Sequence, residues 1–139
     1  MSWLDDVAFI LEEADVAERG TDLYGTSAAK VPKLPSGAAL HIADTGGTNP
    51  ERTHNLVLRP AYLNTTAQIT GRGATYDEAE AKAWEAWYAL FAVRNRYVGS
   101  GDVQPWYMWI KPLQNPTDLG VDGVGNIKVG FNVTGRMRP

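Results

Sequence analysis

The stretch from Ile127 to Thr134 alternates without a break: Ile127, Val129, Phe131 and Val133 fall on one side of an extended chain, and Lys128, Gly130, Asn132 and Thr134 fall on the other. Successive side chains of a strand point to opposite faces, so this pattern demands a sheet with one face against a core and the other left polar. Other segments can supply its neighbours. Leu40 and Ile42 alternate with His41 in Ala38–Asp44, and Leu63, Thr65, Ala67 and Ile69 repeat the period. Leu56 and Leu58 suggest a further piece, which Pro60 confines to an edge, a bulge or a break. Trp106-Tyr107-Met108-Trp109-Ile110-Lys111 has large side chains on both sides, as a central strand would.

Two helices are expected to cover such a sheet. The clearer one begins at Thr75, where Thr75 and Glu78 form a capping box, and runs through EAEAKAWEAWYALFAVRNRY to stop before Gly99, about 30 Å. Ala79, Ala83, Trp87, Leu90 and Phe91 form its main apolar stripe, widened by Trp84, Tyr88 and Val93. The alanines permit close approach to a sheet. Trp84 and Tyr88 are expected in the core; if they emerge from it, they make an adhesive surface for another subunit. The first helix is expected to start at Ser2, with Asp5 completing its capping box, and to end at Gly20. Leu4, Val7, Ala8, Leu11 and Ala14 form its buried stripe, leaving Asp5, Asp6, Glu12, Glu13 and Asp15 on a solvated face or one that docks a basic partner.

Thr21 to Gly37 reads as irregular, with a short extended piece near Leu23 and Tyr24. TGGTNPERT, Thr45 to Thr53, combines Gly-Gly with Asn-Pro and reads as an exposed, mobile loop. The connector PLQNPTDLGVDGVGN is longer than a hairpin turn needs, and long loops in small domains tend to be functional or disordered. The order of elements predicts an α+β fold, a mostly antiparallel sheet packed against one long central helix and a shorter N-terminal helix. At 139 residues it fits a single domain spanning 1–139. Regular βα alternation and glycine-rich phosphate loops are both missing, which argues against Rossmann and P-loop folds.

A formal charge of −3 with 44% hydrophobic residues excludes a strongly basic nucleic-acid binder and a disordered chain. With no cysteine there is no thiol nucleophile, disulfide or thiolate metal site. No run of about 18 apolar residues occurs and the first residues are acidic, so a cytoplasmic site of synthesis is expected, and the sequons at Asn64 and Asn132 are set aside.

Four constellations invite chemistry. Asp44-Thr45-Gly46 matches the tripeptide of aspartic proteases, in which two carboxylates share a proton and a short chain supplies the pair by dimerising. The flanks fit badly: Ala43 precedes it and Gly47-Thr48-Asn49-Pro50 follows, where apolar strands would be needed. Asp44 more simply ends a strand, capping a turn that Gly46 and Gly47 make with positive φ. His41 and His54 stand in no metal spacing. Asp118, Asp122 and Asn126 lack the ligand order of a calcium loop, which leaves a glycine-rich turn. Gly71-Arg72-Gly73 precedes a helix N-terminus that could hold an anion, though capping alone explains it. No cofactor, metal or catalytic residue is expected.

Residues 1–70 hold nine acids and five bases, and residues 71–139 seven acids and eight bases, with Arg136 and Arg138 at the end. Such asymmetry suits head-to-tail or ring contacts between copies. In MSWLDDVAFILEEA, LHIADTGGTNPER, ITGRGATYDEAEAKAWEAWYALF and WYMWIKPLQNPTDLGVDGVGNIKVGFNVTG, the chain resembles the tail terminator and minor capsid proteins of long-tailed bacteriophages. The likeness covers nearly the whole chain through length, element order and turn positions. It implies a non-enzymatic virion component that forms a ring, typically a hexamer, on the head-proximal end of the tail tube. There it would stop tube polymerisation and face the head-tail connector protein, with DNA passing through the lumen. A head-closure or neck protein is the alternative within that class. Contact candidates are Asp44, Thr45, Gly46, Gly47, Glu51 and Arg52 in one loop and Asp118 and Asp122 in the other. Arg72, Trp84, Tyr88, Arg136 and Arg138 complete the set, the arginines facing neighbouring subunits or the DNA channel.

Overall fold

In a computed structural model, residues 3–25, 38–51, 62–99, 104–121 and 125–138 are described. The predicted α+β class holds: among these residues there are two helices and eight strands in one sheet, antiparallel except where β1 joins β2. In chain order they are α1 (Trp3–Glu13), β1 (Leu23–Tyr24), β2 (Ala39–Asp44), β3 (Thr48–Glu51), β4 (Tyr62–Gly73), α2 (Tyr76–Phe91), β5 (Arg94–Tyr97), β6 (Trp106–Pro112), β7 (Thr117–Val121) and β8 (Ile127–Arg138).

The spine is the pair β4 and β8, in register from Leu63↔Met137 to Gly73↔Ile127. Twelve residues each, they span about 40 Å. Each spine strand has one further edge, and each edge is filled by two short strands running in the same direction. β2 and β3 share the edge of β4, and β6 and β7 share that of β8. From Asp44↔Ala67 to Thr48↔Asn64 the outer chain advances four residues while β4 advances three, so β2 and β3 are one strand interrupted by a bulge. The expected break at Thr45–Thr53 is thus corrected for Thr48–Glu51, which return to the ladder. The connector is corrected likewise, since Thr117–Val121 pair with Val121↔Ile127 at the turn.

Both helices lie on the face formed by Leu40, Ile42, Ala67, Ile69, Val129, Phe131 and Val133, all buried. β8 therefore alternates as its sequence predicts, and it continues to Arg138. The GRG segment that precedes α2 is the end of β4. A Cβ on Gly71 would stand 2.5 Å from the Ala79 carbonyl oxygen, so glycine on the strand and alanine on the helix together bring helix and sheet into contact. Ala79, Ala83, Ala86 and Leu90 form the buried stripe of α2. Thr75 Oγ1 accepts from the Glu78 N–H at 3.3 Å, as the capping box requires.

Two helix ends differ from expectation. α1 stops at Glu13, not Gly20, because Asp15 takes φ 57°. The Asp15 N–H bonds the Glu12 carbonyl and the Val16 N–H that of Leu11, a Schellman close with aspartate where glycine is usual. Its Ser2 cap lies outside the described residues. α2 stops at Phe91, and Arg94–Tyr97 pair with β6 as a strand. Asp6, expected on the solvated face, is 1% exposed, and its Oδ2 accepts from the Tyr107 hydroxyl at 2.6 Å. The piece at Leu56 and Leu58 lies outside the described residues.

Candidate assembly surfaces

The tripeptide at Asp44 forms the bulge itself. Gly46 and Gly47 have φ 99° and 87°, and Asp44 Oδ1 accepts the Gly46 N–H at 2.8 Å, the turn cap its spacing predicts. Thr66 on β4 anchors it: its Oγ1 accepts the Gly47 N–H at 2.8 Å and meets Thr45 Oγ1 at 2.6 Å, and its carbonyl accepts the Thr45 N–H. The carboxylate is exposed and committed to the backbone, so its local geometry is that of a turn cap. Asp118 repeats the device across the sheet. Its Oδ1 accepts the Gly120 N–H at 2.7 Å, Gly120 has φ 95°, and the register slips between the two. The backbone of Glu51 pairs with Tyr62; Arg52, Asp122 and His54 lie outside the described residues. No group of His, Asp and Glu able to hold a metal occurs among the described residues.

Trp84 and Tyr88 are not core residues. Tyr88 is 64% exposed and Phe91 43%, and these two with Trp84 and Trp87 form a linked cluster. Trp87 and Phe91 stack at 5.1 Å, and the Trp87 Nε1–H donates to the Gln114 carbonyl at 3.0 Å, tying the cluster to the chain between β6 and β7. There Leu113 is 55% exposed. Small alanines occupy the sheet side of α2, so its large rings are turned to the flank. Tyr88 and Phe91 thus give the flank of α2 an exposed aromatic edge, with Trp84 and Trp87 half-buried behind it.

The arginines lie across the sheet from the helices. Arg136 sits 4.5 Å from the Tyr62 ring centre, and Arg138 sits 5.9 Å from Tyr62 and 5.1 Å from Trp106. Arg72 is close enough to His41 to help lower its pKa, burial being the larger cause. The acids of α1 lie on the opposite side. Glu12, Asp15, Glu18 and Asp22 line an open hollow of about 530 Å³ with Lys82, which bonds Asp22 Oδ2 at 3.0 Å.

No protein-family profile matches the chain, and no curated protein matches it. Among solved structures, it is similar to a chain of one described as "Virion of native gene transfer agent (GTA) particle", with a TM-score of 0.59 and 13% identity. The alignment covers 99% of this chain and 100% of that one, a likeness of fold from end to end.

Proposed function

We propose that the chain is a structural protein of a phage-type virion, a one-domain subunit of the head-tail joint. In this reading it is the tail terminator: copies made in the host cytoplasm assemble as a ring, six in number, on the head-proximal end of the tail tube. The ring halts tube growth and presents a surface to the head connector, and no catalytic step is involved. The supporting observation is the end-to-end correspondence of fold with a chain of a gene transfer agent virion. The aromatic cluster of α2 supplies the adhesive surface that such a subunit needs.

Electron microscopy of the purified protein mixed with assembled tail tubes tests this. The expected result is a cap on one end of each tube and shorter tubes when the protein is present during polymerisation. A strict monomer that ignores tubes would overturn the reading; binding to the head connector alone would make it a head-closure protein.

A further inference from the structure

A chain of contacts leads from a buried carboxyl on α1 to the bulge of the outer strand. Asp6 is 1% exposed; its Oδ2 accepts from the Tyr107 hydroxyl at 2.6 Å, and its Oδ1 has no partner among the described residues. Three residues earlier, Trp3 lies beside the Tyr107 ring, with ring centres 5.9 Å apart. It rests on the backbone of Gly135, where a Cβ would stand 2.8 Å from two of its ring carbons. Its Nε1–H donates to the Thr66 carbonyl at 3.1 Å, and the same carbonyl accepts the Thr45 N–H at 3.2 Å. Thr66 Oγ1 accepts the Gly47 N–H. One residue of β4 therefore holds both the first turn of α1 and the bulge.

Asp6 is the weak point of this chain. Protonated, it is a neutral group with one oxygen bonded; ionised in place, it would be a buried anion with a single donor, which costs far more. Burial and the neighbouring Asp5 favour the neutral form, whereas Tyr107 on β6, the chain's amino terminus and Arg19 favour the charged one. The shortest way to water is for the first turn of α1 to lift, because Asp6 lies in that turn and helix ends open more readily than strand interiors. Asp6 cannot leave without Trp3, which stands three residues away on the same side of the helix. When Trp3 lifts, Thr66 loses a donor, and Gly135 has no side chain to fill the gap. The loss falls on the residue that anchors Thr45 and Gly47.

We propose that Asp6 operates a proton latch: protonated, it holds down the first turn of α1 and, through Trp3 and Thr66, the bulge at Asp44–Gly47; ionised, it lets both open together. The bulge carries contact candidates, so protonation in the core reaches the edge of the sheet. This property belongs to the free chain and does not depend on its place in a virion. Amide hydrogen exchange, read residue by residue by NMR over a pH series and corrected for the intrinsic rate, tests it. The reporters are Val7 and Ala8, whose N–H groups close the first turn of α1, and Thr45 and Gly47 in the bulge. Their opening constants should rise about tenfold per pH unit between the ordinary value of 3.8 and the raised one, then level off, as release of one proton requires. They should also exchange at least about tenfold faster than Ile69 and Phe131 of the spine, with little dependence on low urea, as a local opening does. Asp6→Asn, neutral at every pH, should remove the pH dependence from all four reporters. Trp3→Phe, which lacks the donor to Thr66, should leave it at Val7 and Ala8 and remove it at Thr45 and Gly47. Asp44 is the titratable group of the bulge itself, so the series is repeated in Asp44→Asn, whose amide oxygen keeps the turn. Reporters indifferent to pH, or reporters matching the spine in rate and urea dependence, would overturn the proposal. So would a response of Thr45 and Gly47 that survives Trp3→Phe. If Asp6→Asn does not fold, the wild-type series and Trp3→Phe decide the question by themselves.

Discussion

Asp6 and Tyr107 are 101 residues apart in sequence and joined by a buried hydrogen bond. Burial pushes the Asp6 carboxyl above its ordinary value of 3.8; the bond from Tyr107 opposes that shift, and Asp5 adds to it. Between the ordinary and the raised value the folded state therefore holds a proton at Asp6 that the unfolded chain has released. The stability contributed by that protonation is full below the unfolded value and is lost as pH rises through the raised one. Relative to Asp6→Asn, the wild type should lose stability as pH rises across that window, measured by urea melts at a series of pH values. Tyr107→Phe removes the carboxyl's donor and should cost about 3 kcal/mol near neutrality in the same assay. The bulge gives a second residue-scale test. A Cβ on Gly47 would stand 2.4 Å from the Asn64 carbonyl oxygen, whereas one on Gly46 meets nothing within 4 Å. Both have positive φ, so Gly46→Ala should cost about 1 kcal/mol and Gly47→Ala at least about 2 kcal/mol.

At the scale of elements, what could be read from the sequence depended on how local the cause was. The cap at Thr75 and the alternation of β8 need only neighbours in sequence, and both stand as read. The end of α2 does not. Arg-Asn-Arg-Tyr is compatible with more helix, but β6 offers it a ladder from Arg94 onward, and Asn95 inside that strand takes φ 47°. Asp15 hid the end of α1 because an aspartate in the left-handed region looks like one more acid of a helix face. The helix-sheet contact has its own test. Ala83 has no exposure, and its Cβ would be 3.3 Å from a Cβ on Gly71, so Ala83→Leu should destabilise by about 3 kcal/mol. Ala81→Leu, on the exposed side, should change thermal or urea stability by less than about 0.5 kcal/mol.

The whole molecule separates three surfaces: an acidic helix layer, an aromatic flank on α2 and a basic open sheet. The contact candidates divide among them. Trp84 and Tyr88 stand on the flank, and Arg72, Arg136 and Arg138 on the open sheet. Asp44 to Gly47 and Asp118 shape bulges at the outer strands, where their polar groups serve the backbone first. Tyr88→Ser with Phe91→Ser should leave the melting temperature nearly unchanged and weaken self-association or tube binding at least about thirtyfold, measured by light scattering and co-sedimentation. Unchanged assembly would place the subunit contact elsewhere.

By itself the sequence determined the class of fold, the two sides of β8, the start of α2 and the glycine turn at Asp44, because period, capping and positive φ are settled within a few residues. Only the tertiary structure decided that the two apparent loops carry bulged continuations of the outer strands, that Asp6 is buried, and that the aromatic residues of α2 lie outside the core. Each of these depends on which distant backbone or side chain fills the space beside it. That Asp44-Thr45-Gly46 and Asp118-Leu119-Gly120 are the same device became visible once both were seen along the edges of β4 and β8.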